Sequence, residues 1–218
     1  MSERPILFSG PMVRAILDGR KTQTRRVVKP QPCNDPAKHH PIAPHDNGKG
    51  GWNWVLAATG HGLGDPFPCP YGAPGETLWV RETWAYYGGN EYLYQRDRSA
   101  VMYRATWDDD PRRPLRNLGE PLGHDRWRTS IHMPRWASRL SLLVKSVRVE
   151  RLQEISDSDV FAEGLQSWVD DGNRKGGDGD VRSTFAALWD SINAKSHPWA
   201  SNPWVWVVEF ERVAQEVR

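Results

Sequence analysis

The sequence predicts an α+β fold, a small mixed β-barrel or open sheet. Three observations predict it. A short apolar run and a helical segment open the chain. Strand-like segments recur at Gly75–Trp84, Leu140–Leu152 and Trp204–Val213. Two helical patterns lie among them, one after Ser156 and one around Phe185. The 218 residues suit one elaborated domain with a substantial core.

The elements follow in order. Pro5 to Phe8 is an apolar run that Gly10-Pro11 breaks, and Pro11 suits the first turn of a helix. Met12, Val13, Ile16 and Leu17 recur at helical spacing, and Gly19 stands where a helix C-terminal glycine belongs. Lys21 to Val28, rich in Thr and Val, reads as a strand. From 30 to 75 Pro, Gly and His interleave without periodicity, which predicts loop with at most one short element at Trp52–Ala57. After a Pro74-Gly75 turn, Leu78 and Val80 share one strand face while Trp79 and Arg81 share the other.

Tyr92 to Tyr103 predicts one or two short strands, and Asp108 to Asp125 a polar loop. In Leu140–Leu152 the alternation of Leu140, Leu142 and Val144 changes phase to Val147 and Val149, which suggests a bulge near Lys145-Ser146. Ser156 to Asp159 reads as a capping box opening a short helix through Glu163. Phe185, Leu188, Trp189 and Ile192 form one helical face, and Trp204–Val213 is a closing strand.

Charge and composition narrow the function. Lys and Arg number 29 against 27 Asp and Glu, so the total charge does not argue for bulk adhesion to nucleic acid or membrane; local patches remain. Twelve tryptophans are many for this length. Most are expected in the core or wedged under loops, and a surplus at the surface would suit stacking on bases. There is no run of membrane-spanning length and no basic-then-apolar start, and two cysteines make no disulfide framework, so a cytoplasmic protein without membrane contact is expected. Cys33, His39, His40, His45, His61 and Cys69 lack paired ligand spacing, and Asp170–Asp180 lacks the ligand order of a calcium loop. No metal or other cofactor is assigned.

The densest chemistry lies in Gly19-Arg20-Lys21-Thr22-Gln23-Thr24-Arg25-Arg26. A hydroxyl beside an amine is a possible catalytic unit. The same residues are equally readable as a phosphate-gripping patch.

This segment resembles the hallmark of the ASCH domain family, relatives of the PUA-like RNA-binding barrels. Gly75-Glu76-Thr77-Leu78-Trp79-Val80-Arg81-Glu82 resembles the family's Gly-acid-x-Leu-x-Val-Arg strand. Leu140–Leu152 with Ile155-Ser156-Asp157-Ser158-Asp159 resembles its strand-then-helix step, and Ala162-Glu163-Gly164 the acidic turn that follows. The resemblance covers roughly 5–29, 75–85 and 138–213. It implies one PUA-like domain over 1–218, a small mixed β-barrel with helices packed at its edge and two long loop insertions at about 30–74 and 86–137. Longer members opening like Ile6-Leu7-Phe8-Ser9 are typical of phages and prophages.

One branch of the family is an amidohydrolase that deacetylates acetylcytidine with a Lys, a Thr three residues later and a Glu in the turn after the later helix start. Those positions are Lys21, Thr24 and Glu163 here. Other relatives are RNA-binding modules or ribonucleases, so RNA is the alternative partner to a modified nucleoside. The two insertions and the many Trp depart from the small amidohydrolase. Arg25, Arg26 and Arg81 are candidate phosphate or carboxylate contacts, and Trp79 and Trp84, flanking Arg81, candidate walls of a base pocket.

The chemistry sets two conditions. Lys21 must lose its proton to activate Thr24, which burial or a neighbouring cation favours and a carboxylate such as Glu163 opposes. Lys21 and Thr24 would point to opposite faces of a regular strand, so their cooperation requires the backbone to leave strand geometry near Thr22-Gln23.

Overall fold

A computed structural model describes residues 3–32, 42–46, 51–56, 62–86, 97, 100–109, 127–165 and 181–213. The expectations for 92–96, for most of 108–125 and for 170–180 lie outside the described residues, as do Cys33, His39, His40 and His61. The fold is α+β. In chain order the strands and helices are β1 (Glu3–Leu7), α1 (Gly10–Leu17), β2 (Gln23–Val27), β3 (Ile42–Asp46), β4 (Gly51–Leu56), β5 (Gly62–Pro68), β6 (Thr77–Arg81), β7 (Trp84–Tyr86), β8 (Val101–Tyr103), β9 (Ser141–Arg151), α2 (Asp157–Ala162), α3 (Val181–Asn193) and β10 (Trp204–Val213), with short 3-10 turns between some of them. The chain divides into two compact units: Met1–Gly19 with Thr77–Leu143 and Glu211–Arg218, and Arg20–Glu76 with Val144–Phe210. In neither unit do the described strands close into a barrel.

In the first unit β6 is the centre of a mixed sheet. It runs parallel to β1, Ile6 opposite Val80, and antiparallel to the start of β9, Leu78 opposite Leu142. Leu78 and Val80 are buried and Trp79 and Arg81 only half so, which is the alternation read from the sequence. Pro11 lies in the first turn of α1, Val13, Ala15 and Ile16 face inward, and Gly19 ends the helix at φ +74°. That left-handed conformation is open to glycine at no steric cost. β7 and β8 pair antiparallel, and Trp84, Tyr86, Val101, Met133 and Ala137 form a core against Tyr103 and Trp136.

In the second unit β10 lies between the later part of β9 and β2, with Val208 opposite Thr24 and Val207 opposite Arg25. Its residues Trp204 to Val208 are all buried, so both faces are covered. The cover on one face comes from the stretch expected to be loop. β3, β4 and β5 form an antiparallel sheet there. Its Trp52, Trp54 and Phe67 pack on Trp204 and Trp206 with ring centroids 5.6–5.8 Å apart. The prolines mislead because they fall on the two outer strands, Pro44 in β3 and Pro66 and Pro68 in β5, while the central β4 has none. An edge strand tolerates a missing N–H.

Ser156 caps α2: its Oγ accepts from the Asp159 N–H, and the Asp159 carboxylate accepts from the Ser156 N–H, both at 3.2 Å. α2 ends at Glu163, and Gly164, at φ +89°, turns the chain away. α3 buries Phe185 and Trp189, but Ile192 is 71% exposed: the apolar face holds for the middle of the helix and not for its last turn. Buried positions in β9 pass from Leu142 and Val144 to Val149, the change of phase read from the sequence.

Replacing Ser156 by Ala removes one half of the α2 cap. It is expected to cost about 1 kcal/mol and to lower the melting temperature by about 2–4 °C, measured by calorimetry against the wild-type chain.

Candidate functional site

The site is built in the second unit by a change of pairing partner at Thr22. Lys21 makes an isolated antiparallel bridge with Glu163. The Thr22 N–H donates to the Ala162 carbonyl at 2.9 Å, while its carbonyl accepts from the Phe210 N–H at 2.8 Å. From Gln23 onward the chain pairs with β10 as β2. At Thr22 the chain thus changes partner, from the turn after α2 to β10. Gln23, Thr24 and Arg25 are buried in succession.

Lys21 is 3% exposed and Glu163 5%. The Lys21 ammonium donates to Oε2 of Glu163 at 2.7 Å, to the Glu163 carbonyl at 2.9 Å and to the Gln23 carbonyl at 2.7 Å. These acceptors take up the three N–H of an NH3+ group. The Gln23 carbonyl belongs to the peptide joining Gln23 to Thr24, so the amine lies beside the backbone of the hydroxyl residue. Burial pushes Lys21 below the ordinary lysine value; Glu163 opposes that fall, and Arg26 and Arg25 add to it. Desolvation therefore prevails over the ion pair.

Thr24 is 1% exposed and its Oγ accepts a hydrogen bond from Nη1 of Arg26 at 2.9 Å. Arg26 also donates to the Arg25 carbonyl at 3.1 Å. Burial lowers the Arg26 pKa, and Tyr71 and Glu163 act against that. Tyr71 is itself pushed up, by burial more than Arg26 pulls it down.

Arg25 is 3% exposed and faces three carboxylates. Nη1 donates to Oε1 of Glu163 at 3.3 Å, Nε to Oε1 of Glu150 at 3.1 Å, and Nη2 to Glu150 and to Oδ2 of Asp159, the latter at 3.1 Å. Arg148 extends the network to Asp159 at 3.2 Å, Glu150 at 3.1 Å and Glu209, and Gln23 donates to Asp159 at 3.1 Å. Burial raises the Asp159 carboxyl, but the Ser156 N–H, Arg25 and Gln23 outweigh it and leave the group below its ordinary value.

Lys21, Thr24, Arg25, Arg26 and Glu163 thus belong to one unit, whereas Trp79, Arg81 and Trp84 belong to the other. Arg81 donates to the backbone carbonyls of Met133 (3.1 Å) and Ile131 and lies over the Trp79 ring at 5.4 Å. Trp79 also faces Arg135 at 5.9 Å. Trp84 is core, packed against Tyr86 and Trp136. Sequence reasoning missed Glu150, Asp159 and Arg148 as members of the site. Arg148 and Glu150 stand two apart on a strand, hence on one face, and that charged pair on an otherwise apolar strand was the available signal. Among the described residues no group of three His, Cys, Asp or Glu side chains is placed to hold a metal ion. The chain matches no family model, no curated protein and no solved structure.

Two outcomes follow from the buried charges. Glu163→Gln leaves the Lys21 cation buried without its counter-ion and is expected to cost about 3–5 kcal/mol, whereas Lys21→Met with Glu163→Leu removes both charges and costs much less than the two single changes summed; denaturant titration of the three variants measures this. Asp159 has a folded pKa below its unfolded one, so its stabilisation is complete above about pH 4 and is lost as pH falls through the folded value. Asp159→Asn should flatten that acid limb in thermal melts between pH 2 and 5.

Proposed function

We propose that the chain is an ASCH-type, PUA-like cytoplasmic amide hydrolase, one domain over 1–218, acting on a modified nucleoside or nucleotide of the acetylcytidine type. The observation that carries this reading is the buried Lys21–Glu163 pair, 142 positions apart in sequence and 2.7 Å apart in space. The buried Thr24 follows Lys21 by three residues on the same segment.

In this reading Lys21 acts as the neutral amine. Two N–H remain for Glu163 and a backbone carbonyl, and its lone pair takes the Thr24 proton as Oγ attacks the acyl carbon. The C–N bond then breaks, and the proton held by Lys21 passes to the departing amine. A water molecule, deprotonated by Lys21 in the same way, attacks the acyl–Thr24 ester; the C–Oγ bond breaks, Lys21 returns the proton to Thr24 Oγ, and the acid is released. Glu163 holds the amine in place. The Arg26 guanidinium, already hydrogen-bonded to Oγ, favours negative charge there as the proton leaves.

The engagement of the Arg25 and Arg81 guanidinium groups with carboxylates and backbone carbonyls weighs against a purely phosphate-gripping surface. A nucleic-acid module or ribonuclease is therefore the competing outcome of the assay. Release of cytidine from N4-acetylcytidine is followed by chromatography for the wild type, Lys21→Ala and Thr24→Ala. Turnover is expected to fall at least about a thousandfold in each variant. Because the base must be unprotonated, kcat/KM should rise with pH up to the depressed Lys21 value and then level off. Full activity in Lys21→Ala contradicts the reading. So does an inert protein that binds RNA with a steep salt dependence.

A further inference from the structure

We propose that Arg25 is a positioning residue for this reaction: its guanidinium engages Oε1 of Glu163 while Lys21 engages Oε2, so that the carboxylate is aligned for Lys21 without closing on it as a private ion pair. The proposal rests on the reading of Lys21 as the base.

A lone carboxylate beside a buried ammonium holds the proton on nitrogen, and the amine is then useless as a base. Here Glu163 is shared. Arg25 Nη1 lies 3.3 Å from Oε1 and Lys21 Nζ 2.7 Å from Oε2. The second cation draws on the same negative charge and also repels the first, in the direction already noted for Lys21. Arg25 is itself fixed from behind, by Glu150 and Asp159, and lies over the Phe185 ring at 6.0 Å. Arg25 makes four hydrogen bonds to these carboxylates, more than the three N–H of a lysine ammonium could supply.

Among the described residues, charged groups reach the pair from several elements. Arg20, Lys21, Arg25 and Arg26 come from β2 and the turn before it, Arg20 donating to the Gly164 carbonyl at 3.2 Å, Asp159 and Glu163 from α2 and its end, Arg148 and Glu150 from β9, and Glu209 from β10. Tyr71 faces Arg26. On α3, Arg182 donates to the Gln153 carbonyl, and Asp190 accepts from the Trp199 N–H at 2.6 Å. Of these carboxylates Arg25 touches three.

The test is an NMR titration of the Lys21 side-chain nitrogen in the full chain, as wild type, Arg25→Gln and Glu150→Gln, with thermal melts to verify folding. Arg25→Gln is expected to raise the Lys21 midpoint by about one pH unit or more, a tenfold tighter hold on the proton. Glu150→Gln removes one competitor for Arg25 and is expected to lower it. A folded Arg25→Gln protein with an unchanged or lowered midpoint overturns the proposal. If that variant does not fold, an unchanged or raised midpoint in Glu150→Gln does so. Neither readout needs turnover, so this role and the amide-hydrolase reading fail separately. Where turnover is present, the acid limb of kcat/KM moves with the midpoint.

Discussion

The second unit depends on a buried charge that has to be satisfied. Lys21 carries its amine into an interior where an unpaired ammonium is very unfavourable. The turn after α2 answers with a carboxylate and a carbonyl from one residue, Glu163, and the next carbonyl comes from Gln23. Buried pairs of this kind seldom add net stability over an apolar replacement. What this one supplies is register: it ties the entry of β2 to the end of α2.

That tie sets where the chain changes partner: the Thr22 N–H donates to Ala162 and its carbonyl accepts from Phe210. Beyond it Gln23, Thr24 and Arg25 are buried in succession, so both faces of the start of β2 are covered. The capping box at Ser156 contributes at a distance, because its Asp159 also receives Arg25. Helix start, strand entry and ion network are one cooperative unit, and changes in any of them are expected to couple.

Much of this was legible in the sequence where the signal was local. The α1 helix with its glycine stop, the alternation of β6, the cap of α2 and the grouping of Lys21 with Glu163 follow from spacing and resemblance. The β3–β5 sheet was not legible, because Pro and Gly hide strand periodicity and the sheet is held by Trp52, Trp54 and Phe67 against β10, a long-range contact. Lys21 and Glu163 were legible as members of one group, but the ion network around them was not. Arg25 reads only as a candidate phosphate or carboxylate contact until Glu150 and Asp159, more than a hundred positions away, are brought to it. Among the described tryptophans, Trp54, Trp84, Trp107, Trp189, Trp204 and Trp206 are core, the place expected for most of them.

The central claim is that Thr24 becomes acylated because Lys21, poised by shared use of Glu163, removes its proton. Acid quenching during turnover of an acetylated nucleoside, followed by peptide mass spectrometry, tests this most directly. The account predicts one acetyl group on the peptide that contains Thr24, absent when Thr24 is replaced by Val. Turnover with that peptide unmodified, or with the acetyl group on another residue, would contradict it.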